Sequence, residues 1–351
     1  MINTGINVLS LFDGISCTQI ALKNLGIKVD KYYASEIDTP AIKITKKNFP
    51  NTIQLGDIKN IKGKDLPKIT LITGGSPCQG FSFAGKQLAF DDPRSALFFE
   101  FIRILKEVKP KYFLLENVRM EKKHIQVINE TISKIYPDSC NSNLFGEIEP
   151  ILINSALLSA QNRNRLYWTN IPNIKQPKDL GLVLRDVLEP FEGCGEELKK
   201  MTTKKGKAFV LTASYQGAVA CNSIERRQRT MIPKVAIKSM TEVRTPEANK
   251  IRQKHIKETG KDWSPRDMRH LVERKDDKSN TITANTSKQH TIQIEQEEKL
   301  TWRKLTPLEC ERLQTVPDNY TAAVSNTQRY KMLGNGFTVK VIEHILSNME
   351  A

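Results

Sequence analysis

The sequence predicts an α/β protein built on a mainly parallel sheet, and three observations carry that expectation. Short apolar runs bounded by turn residues recur at residues 7–12, 69–72 and 112–115, and runs of this length suit buried strands. An apolar-periodic stretch at 17–25 separates the first run from a further one at 32–35, which makes a βαβ unit. With 351 residues, the chain can bury a sizeable core and suggests two domains, or one large domain with an insertion.

Charge narrows the partners. The chain carries 54 Lys and Arg against 39 Asp and Glu, a net of +15. Such an excess points to a polyanion, most simply nucleic acid. Its six Cys include no CxxC pair, so reduced thiols are simpler than a disulfide framework or a structural zinc site. No metal is expected. Asp13 interrupts the first apolar stretch early, which excludes a secretory pattern, and no stretch approaches a membrane span. A soluble, intracellular protein is expected.

In chain order, residues 7–12 form the first strand and Asp13, Gly14, Ile15 and Ser16 a turn. Ile20, Ala21, Leu22 and Leu25 offer a buried helix face, and Gly26 stops that helix. The second strand leads into Glu36, 22 positions after Gly14. An acid at about that distance commonly holds ribose hydroxyls, but there is no GxGxxG turn. A nucleoside without a pyrophosphate therefore suits this unit better than a dinucleotide. Asp57 follows the next strand-like stretch and either bonds an adenine amino group or caps a turn.

The strand at 69–72 ends in Gly74, Gly75, Ser76, Pro77 and Cys78. This holds one thiol at a strand-to-loop exit, where ligands of open α/β sheets bind. Alone, such a Cys is usually a small buried hydrophobe. Residues 81–93 read as a candidate lid. Ser95 can cap a helix to about Val108, with Ala96, Leu97, Phe99, Ile102 and Leu105 apolar. Glu116, Asn117 and Val118 fall just past the carboxyl end of the strand at 112–115. Cys78 and Glu116 thus share one sheet edge. A Glu after four apolar residues is costly to bury without a partner, although turn donors could satisfy it. After a strand at 151–154, alternation places Gln161, Arg163 and Arg165 on one face. Two Arg there could clamp a phosphate or a base carbonyl, or line a solvated edge.

Beyond about residue 172 the character changes. Residues 199–238 hold ten Lys or Arg and one acid, Glu225. Trp263, Arg266, Arg269, His270, Thr281 and Thr283 follow, a mixture that suits phosphates and base edges, or a solvated surface. Thr306 and Pro307 open a capped helix. Gly334, Asn335 and Gly336 read as a tight turn, and residues 338–348 as a final amphipathic helix.

These residues resemble the C5-cytosine DNA methyltransferase family, which uses S-adenosylmethionine, in the family's order along nearly the whole chain. Phe12-Asp13-Gly14-Ile15-Ser16 resembles the family's cofactor turn, with Ser16 replacing its second Gly. The stretch from Gly75 to Ser82 resembles the nucleophile motif, Glu116-Asn117-Val118 the second catalytic motif, and Gln161-x-Arg163-x-Arg165 the third. Gly334-Asn335 resembles the last motif, with Gly336 where Ser or Ala is usual. The wording is closest to bacterial and phage enzymes and the animal de novo branch.

The resemblance implies the Rossmann-like sheet of the class I S-adenosylmethionine-dependent methyltransferases, with a smaller, irregular, β-containing target-recognition domain. Residues 1–171 would be catalytic and 172–324 target-recognising, with 325–351 a helix returning to the catalytic domain. Cys78, Glu116, Arg163 and Arg165 would be catalytic. The cofactor would meet Phe12, Asp13, Gly14, Ile15, Glu36, Ile37, Asp57, Ile58, Gly75, Pro77, Leu97, Asn335 and Gly336. Double-stranded DNA would meet Gln79, Ser82, Lys86, Arg94, Arg266, Arg269, Thr281 and Thr283. The implied enzyme is a sequence-specific DNA (cytosine-5)-methyltransferase of a restriction-modification, phage or orphan system, a monomer in the cytoplasm of a bacterial or phage-infected cell. RNA cytosine methylation would use the same Cys78 and Glu116, but the large basic insert favours DNA. An inert DNA-binding relative would have lost Cys78 or Glu116, and a nicotinamide oxidoreductase would need the missing glycine turn.

Overall fold

The computed structural model describes residues 5–76, 96–137, 139, 146–190, 195–220, 225–235, 240–263, 265, 268–273 and 300–350. The chain divides into two compact units, residues 1–232 with 303–351, and residues 233–302.

The first unit carries β1 (Ile6–Leu11), α1 (Cys17–Asn24), β2 (Val29–Ser35), α2 (Thr39–Asn48), β3 (Ile53–Gln54), β4 (Leu71–Gly74), α3 (Ala96–Val108), β5 (Tyr112–Val118), α4 (Lys122–Ser133), β6 (Ile151–Asn154) and β7 (Asn164–Thr169). Its seven strands form one sheet in the order β3-β2-β1-β4-β5-β7-β6. The first five strands of that order pair in parallel, while β7 runs antiparallel to both β5 and β6. Parallel strands covered on both faces read as continuous apolar runs. Accordingly Val8, Leu9 and Leu11 of β1, Leu71 and Ile72 of β4, and Phe113, Leu114 and Leu115 of β5 are fully buried. Leu9, Ile72, Phe101, Phe113, Leu115 and Trp168 belong to one core cluster, each contributing roughly 1.5–3 kcal/mol by leaving water. The α1 helix ends as the sequence suggests. The Gly26 N–H bonds the Lys23 carbonyl and the Ile27 N–H the Leu22 carbonyl, the double closure of a Schellman cap.

In this part of the chain β5 and α3 differ from the sequence reading. β5 does not stop at Leu115. β4 ends at Gly74 opposite Leu115, but Glu116, Asn117 and Val118 stay in the strand by pairing with Tyr167, Leu166 and Arg165 of β7. On α3, Phe98, Phe101, Ile102, Ile104 and Leu105 are buried, whereas Phe99 is 44% exposed. Ser95 lies outside the described residues.

Further along are α5 (Gly195–Lys200), β8 (Met231–Val235), β9 (Met240–Arg244), α6 (Pro246–Thr259), β10 (Arg269–Glu273), β11 (Leu300–Lys304), α7 (Pro307–Leu313), α8 (Asn326–Asn335) and α9 (Val339–Leu346). β9 and β10 pair antiparallel within the second unit, and β8 and β11 form a separate two-stranded sheet. A Thr306–Glu309 capping box starts α7, with Pro307 in its first turn, because the missing proline N–H is not needed there. The predicted turn at 334–336 is instead the end of α8, with Gly336 as its cap. α9 buries Val339, Val341, Ile342, Ile345 and Leu346, and Asn24 at the end of α1 donates to Glu343 at 2.5 Å. No helix of the described residues is long and apolar enough to cross a membrane.

Candidate active site

A cavity of about 580 Å³ opens beyond the carboxyl ends of β1, β2, β4 and β5. The strand order reverses between β1 and β4, and ligands of open α/β sheets bind at that switch point. The volume falls within the range of small-molecule sites.

The turn after β1 forms one wall. Phe12, Gly14 and Ser16 all have left-handed backbone, φ 57°, 58° and 59°. That region favours glycine, and each non-glycine residue there costs about 1–2 kcal/mol. The position where the resemblance replaces Gly by Ser is thus one where glycine would relax the chain. Hydrogen bonds hold the turn against this strain. The Asp13 N–H donates to Ser35 O at 3.1 Å and the Gly14 N–H to Glu36 Oε2 at 2.8 Å. The Ser16 hydroxyl donates to Asp13 Oδ2, and the Tyr32 hydroxyl to Asp13 Oδ1 at 2.8 Å. Burial pushes the Asp13 carboxyl up to about 6, against the opposing pull of its hydroxyl donors.

Glu36 sits at the end of β2. Its Oε1 accepts from the Ile37 and Asp38 N–H groups at 2.7 and 2.8 Å. With Gly14 this makes three backbone donors fixing one carboxylate, which keeps further lone pairs toward the cavity. Asp57 takes the capping role, since Oδ1 accepts from the Lys59 N–H at 3.0 Å while Asp57 also lines the cavity. Phe12, Ile58 and Leu97 supply apolar wall.

The other end of the cavity is charged. Glu116 Oε1 lies 2.9 Å from Arg165 Nε, and both side chains are nearly buried. The strand register explains this, because Val118 of β5 stands opposite Arg165 of β7. Asn117 donates to the Ser76 hydroxyl at 3.3 Å, tying β5 to the segment leaving β4. A Cβ on Gly75 would lie 2.9 Å from the Phe337 ring and 3.2 Å from Glu116 Oε2. Only a bare backbone passes between them.

Arg163 and Arg165 share a face, as alternation predicts, but their surroundings separate them. The Arg163 guanidinium bonds the carbonyls of Leu211 at 3.0 Å, Gly334 at 3.2 Å and Gly336 at 3.0 Å. It fastens the end of α8 to the 211–213 segment through its Nη groups, while Arg163 itself still lines the cavity. Gln161 is also buried, bonding Leu313 and Gln314.

Of the residues proposed from sequence, Phe12, Asp13, Gly14, Glu36, Ile37, Asp57, Ile58, Gly75, Leu97, Asn335, Gly336, Glu116, Arg163 and Arg165 line this one cavity. Ile15 is buried and not among the lining residues. Pro77, Cys78, Gln79, Ser82, Lys86, Arg94, Arg266, Thr281 and Thr283 lie outside the described residues. Arg269 opens β10 in the second unit. The sequence reading missed Cys17, Asp38, Lys331 and Phe337 on the wall. Lys331 was findable, because it precedes Asn335 by one helical turn, and it pairs with Asp38 at 3.2 Å. Burial pushes the Cys17 thiol up to about 12, so Cys17 offers no thiolate at neutral pH. Among the described residues no cluster of His, Cys, Asp and Glu could hold a metal ion.

Residues 6–351 match the family described as C-5 cytosine-specific DNA methylase. The chain belongs to that family. Among curated members it is similar to the type II methyltransferase M1.ScrFI of Lactococcus lactis subsp. cremoris, 32% identical over 369 residues that cover 97% of this chain and 77% of that one. It is also similar to the orphan methyltransferase M.SPRI of Bacillus phage SPR, 27% identical over 455 aligned positions covering 98% and 97%. Among solved structures, the Entamoeba histolytica methyltransferase EhMeth shares the fold, with TM-score 0.61 and 18% identity over 99% of this chain and 98% of that one. So does Spodoptera frugiperda DNMT2, with TM-score 0.57 and 21% identity over 98% and 99%. The seven-stranded mixed sheet of this DNA methylase is that of these methyltransferase structures.

Proposed function

We propose that this member of the family transfers a methyl group from S-adenosylmethionine to C5 of a cytosine within a specific duplex sequence, using Cys78 as nucleophile. The observation that supports this most is the Glu116–Arg165 pair at one end of a cavity whose other end is built for a nucleoside. The cavity fits such a cofactor. Glu36, fixed by three backbone N–H groups, has acceptor capacity for ribose hydroxyls. Phe12, Ile58 and Leu97 suit a purine, and Asp57 its amino group. The tight passage at Gly75 leaves room between the two ends. When bound there, the cofactor supplies an electrophilic methyl sulfonium.

Cytosine C5 is a weak nucleophile, and the protein's task is to activate it. Addition of the Cys78 thiolate to C6 turns the ring into an enamine with electron density on C5. Negative charge then develops on N3 and O2. The Glu116 carboxyl group meets N3 and the exocyclic amine, sharing the proton the ring needs. The Arg165 guanidinium meets O2 and stabilises the developing charge. Once C5 carries the methyl group, a water molecule takes the C5 proton, the C5–H electron pair forms the C5=C6 bond, and the C6–S bond breaks to release the Cys78 thiolate. The reacting atoms lie inside the duplex, so the base is first flipped out. The protein acts as a monomer on DNA.

Cys78→Ala tests this directly. The variant is expected to lose methyl transfer from a tritiated methyl donor while keeping duplex affinity. A normal rate of C5 methylation by the variant overturns the mechanism.

A further inference from the structure

Beside the cavity, the segment 212–217 carries a feature that the catalytic chemistry does not use. Its backbone at Thr212 and Ala213 packs against Gly334, whose neighbours Asn335 and Gly336 line the cavity. The chain then makes one 3₁₀ turn at Tyr215–Gly217. Two cations converge on that turn. Arg229 donates to the Gly217 carbonyl at 2.8 Å and to the Ser214 hydroxyl at 3.0 Å. Lys304 donates to the Gln216 carbonyl. These partners are neutral oxygens, so neither charge is cancelled by them. Each cation also retains N–H donors beyond those engaged.

The pair is held in place by a buried hub. The Tyr215 side chain is 1% exposed. Its hydroxyl donates to the Thr230 carbonyl at 2.5 Å and accepts from the Leu305 N–H at 2.8 Å. Thr230 and Leu305 directly adjoin Arg229 and Lys304. One hydroxyl therefore fixes both chain segments that present the cations. The rim of the turn, at Ser214, Gln216 and Gly217, is exposed.

We propose that Arg229 and Lys304, set around the Ser214–Gly217 turn, seat a backbone phosphate of the bound duplex near the target cytosine. This rests on the proposed DNA substrate and names a contact for it. Two fixed, uncancelled cations and an exposed hydroxyl match a phosphate's charge and acceptor oxygens. Position agrees as well. The five peptide steps from Thr212 to Gly217 span at most about 18 Å. The turn therefore lies no farther than that from the Thr212–Gly334 contact beside the cavity.

The test is fluorescence anisotropy of the full chain on a mixed-sequence duplex between 50 and 200 mM salt. Arg229→Gln, Lys304→Gln, the double Gln variant and the charge-keeping pair Arg229→Lys with Lys304→Arg are compared. Each Gln variant is expected to bind several-fold more weakly, and the double variant to flatten the slope of log affinity against log salt by about 0.9. The charge-keeping pair should restore the slope, and cofactor affinity and melting temperature should hold. Should Arg229→Gln melt early, Lys304→Gln decides. Wild-type slope and affinity in the Gln variants overturn the seat while leaving the proposed function intact, provided wild type still methylates DNA. Discrimination lost at a single base position, with no uniform weakening, also overturns it. A wild-type chain that binds no duplex removes the proposed function and the seat together.

Discussion

Replacing Gly334 with Ala tests how the end of α8 is held against the site. Gly334 lies inside a helix, where Ala is normally better by about 1 kcal/mol. Here the added Cβ would sit 2.2 Å from the Thr212 carbonyl carbon, 2.3 Å from the Ala213 nitrogen and 2.4 Å from the Thr212 oxygen. All three atoms are backbone, so no side-chain rotation relieves the clash. Either α8 or the 212–213 segment must move by more than about 1 Å to reach ordinary van der Waals separation. Arg163 resists that movement, because it holds the Leu211, Gly334 and Gly336 carbonyls together. Overpacking costs about 1–3 kcal/mol, and losing one charge-assisted bond about 1.5–3 kcal/mol. After subtracting the helix gain, the variant should lose roughly 1.5–5 kcal/mol. At about 2 °C per kcal/mol for a chain of this size, melting should fall by roughly 3–10 °C in scanning calorimetry. Cofactor affinity measured by titration calorimetry should fall as well, since Asn335, Gly336 and Phe337 line the cavity. An unchanged or slightly raised melting temperature, which helix propensity alone predicts, would refute this reasoning.

Asp13 and Arg165 give two further tests. Asp13 titrates at about 6 in the folded chain, against its usual 3.8. The folded state thus holds this proton to higher pH than the unfolded chain does. The stability it contributes is fully present below about pH 4 and is lost as pH rises through about 6, a fall of about 3 kcal/mol at about 1.36 kcal/mol per pH unit. Urea melts from pH 4 to 7.5 should show this component in wild type and not in Asp13→Asn, and parallel curves would contradict it. Arg165→Leu should slow single-turnover methyl transfer by about 100- to 1,000-fold. It should change cofactor affinity little, because the Glu36 end of the cavity is untouched. An undiminished rate would remove Arg165 from the chemistry.

The central sheet was legible because parallel strands covered on both faces must be apolar throughout, as in β1, β4 and β5. Glu36 was legible from spacing alone, since a βαβ unit fixes how far the second strand's end lies from the first turn. Glu116 lines the cavity, but its place in the backbone was misread. Nothing local shows that β7 keeps pairing with β5 beyond the last residue of β4. The end of α8 was misread for a similar reason. Two glycines around an asparagine look like a turn, whereas Gly334 is dictated by a backbone some 120 positions earlier in the chain. Arg163 and Arg165 obey the same alternation, and only their distant partners, three carbonyls against one carboxylate, distinguish them.

The most direct measurement is base-resolution conversion sequencing of plasmid DNA from cells expressing the wild-type chain or Cys78→Ala. Protected cytosines confined to one short sequence in wild type, and absent in Cys78→Ala, are the predicted result. The same protection in both, or none in either, would contradict a Cys78-dependent DNA cytosine-5 methyltransferase.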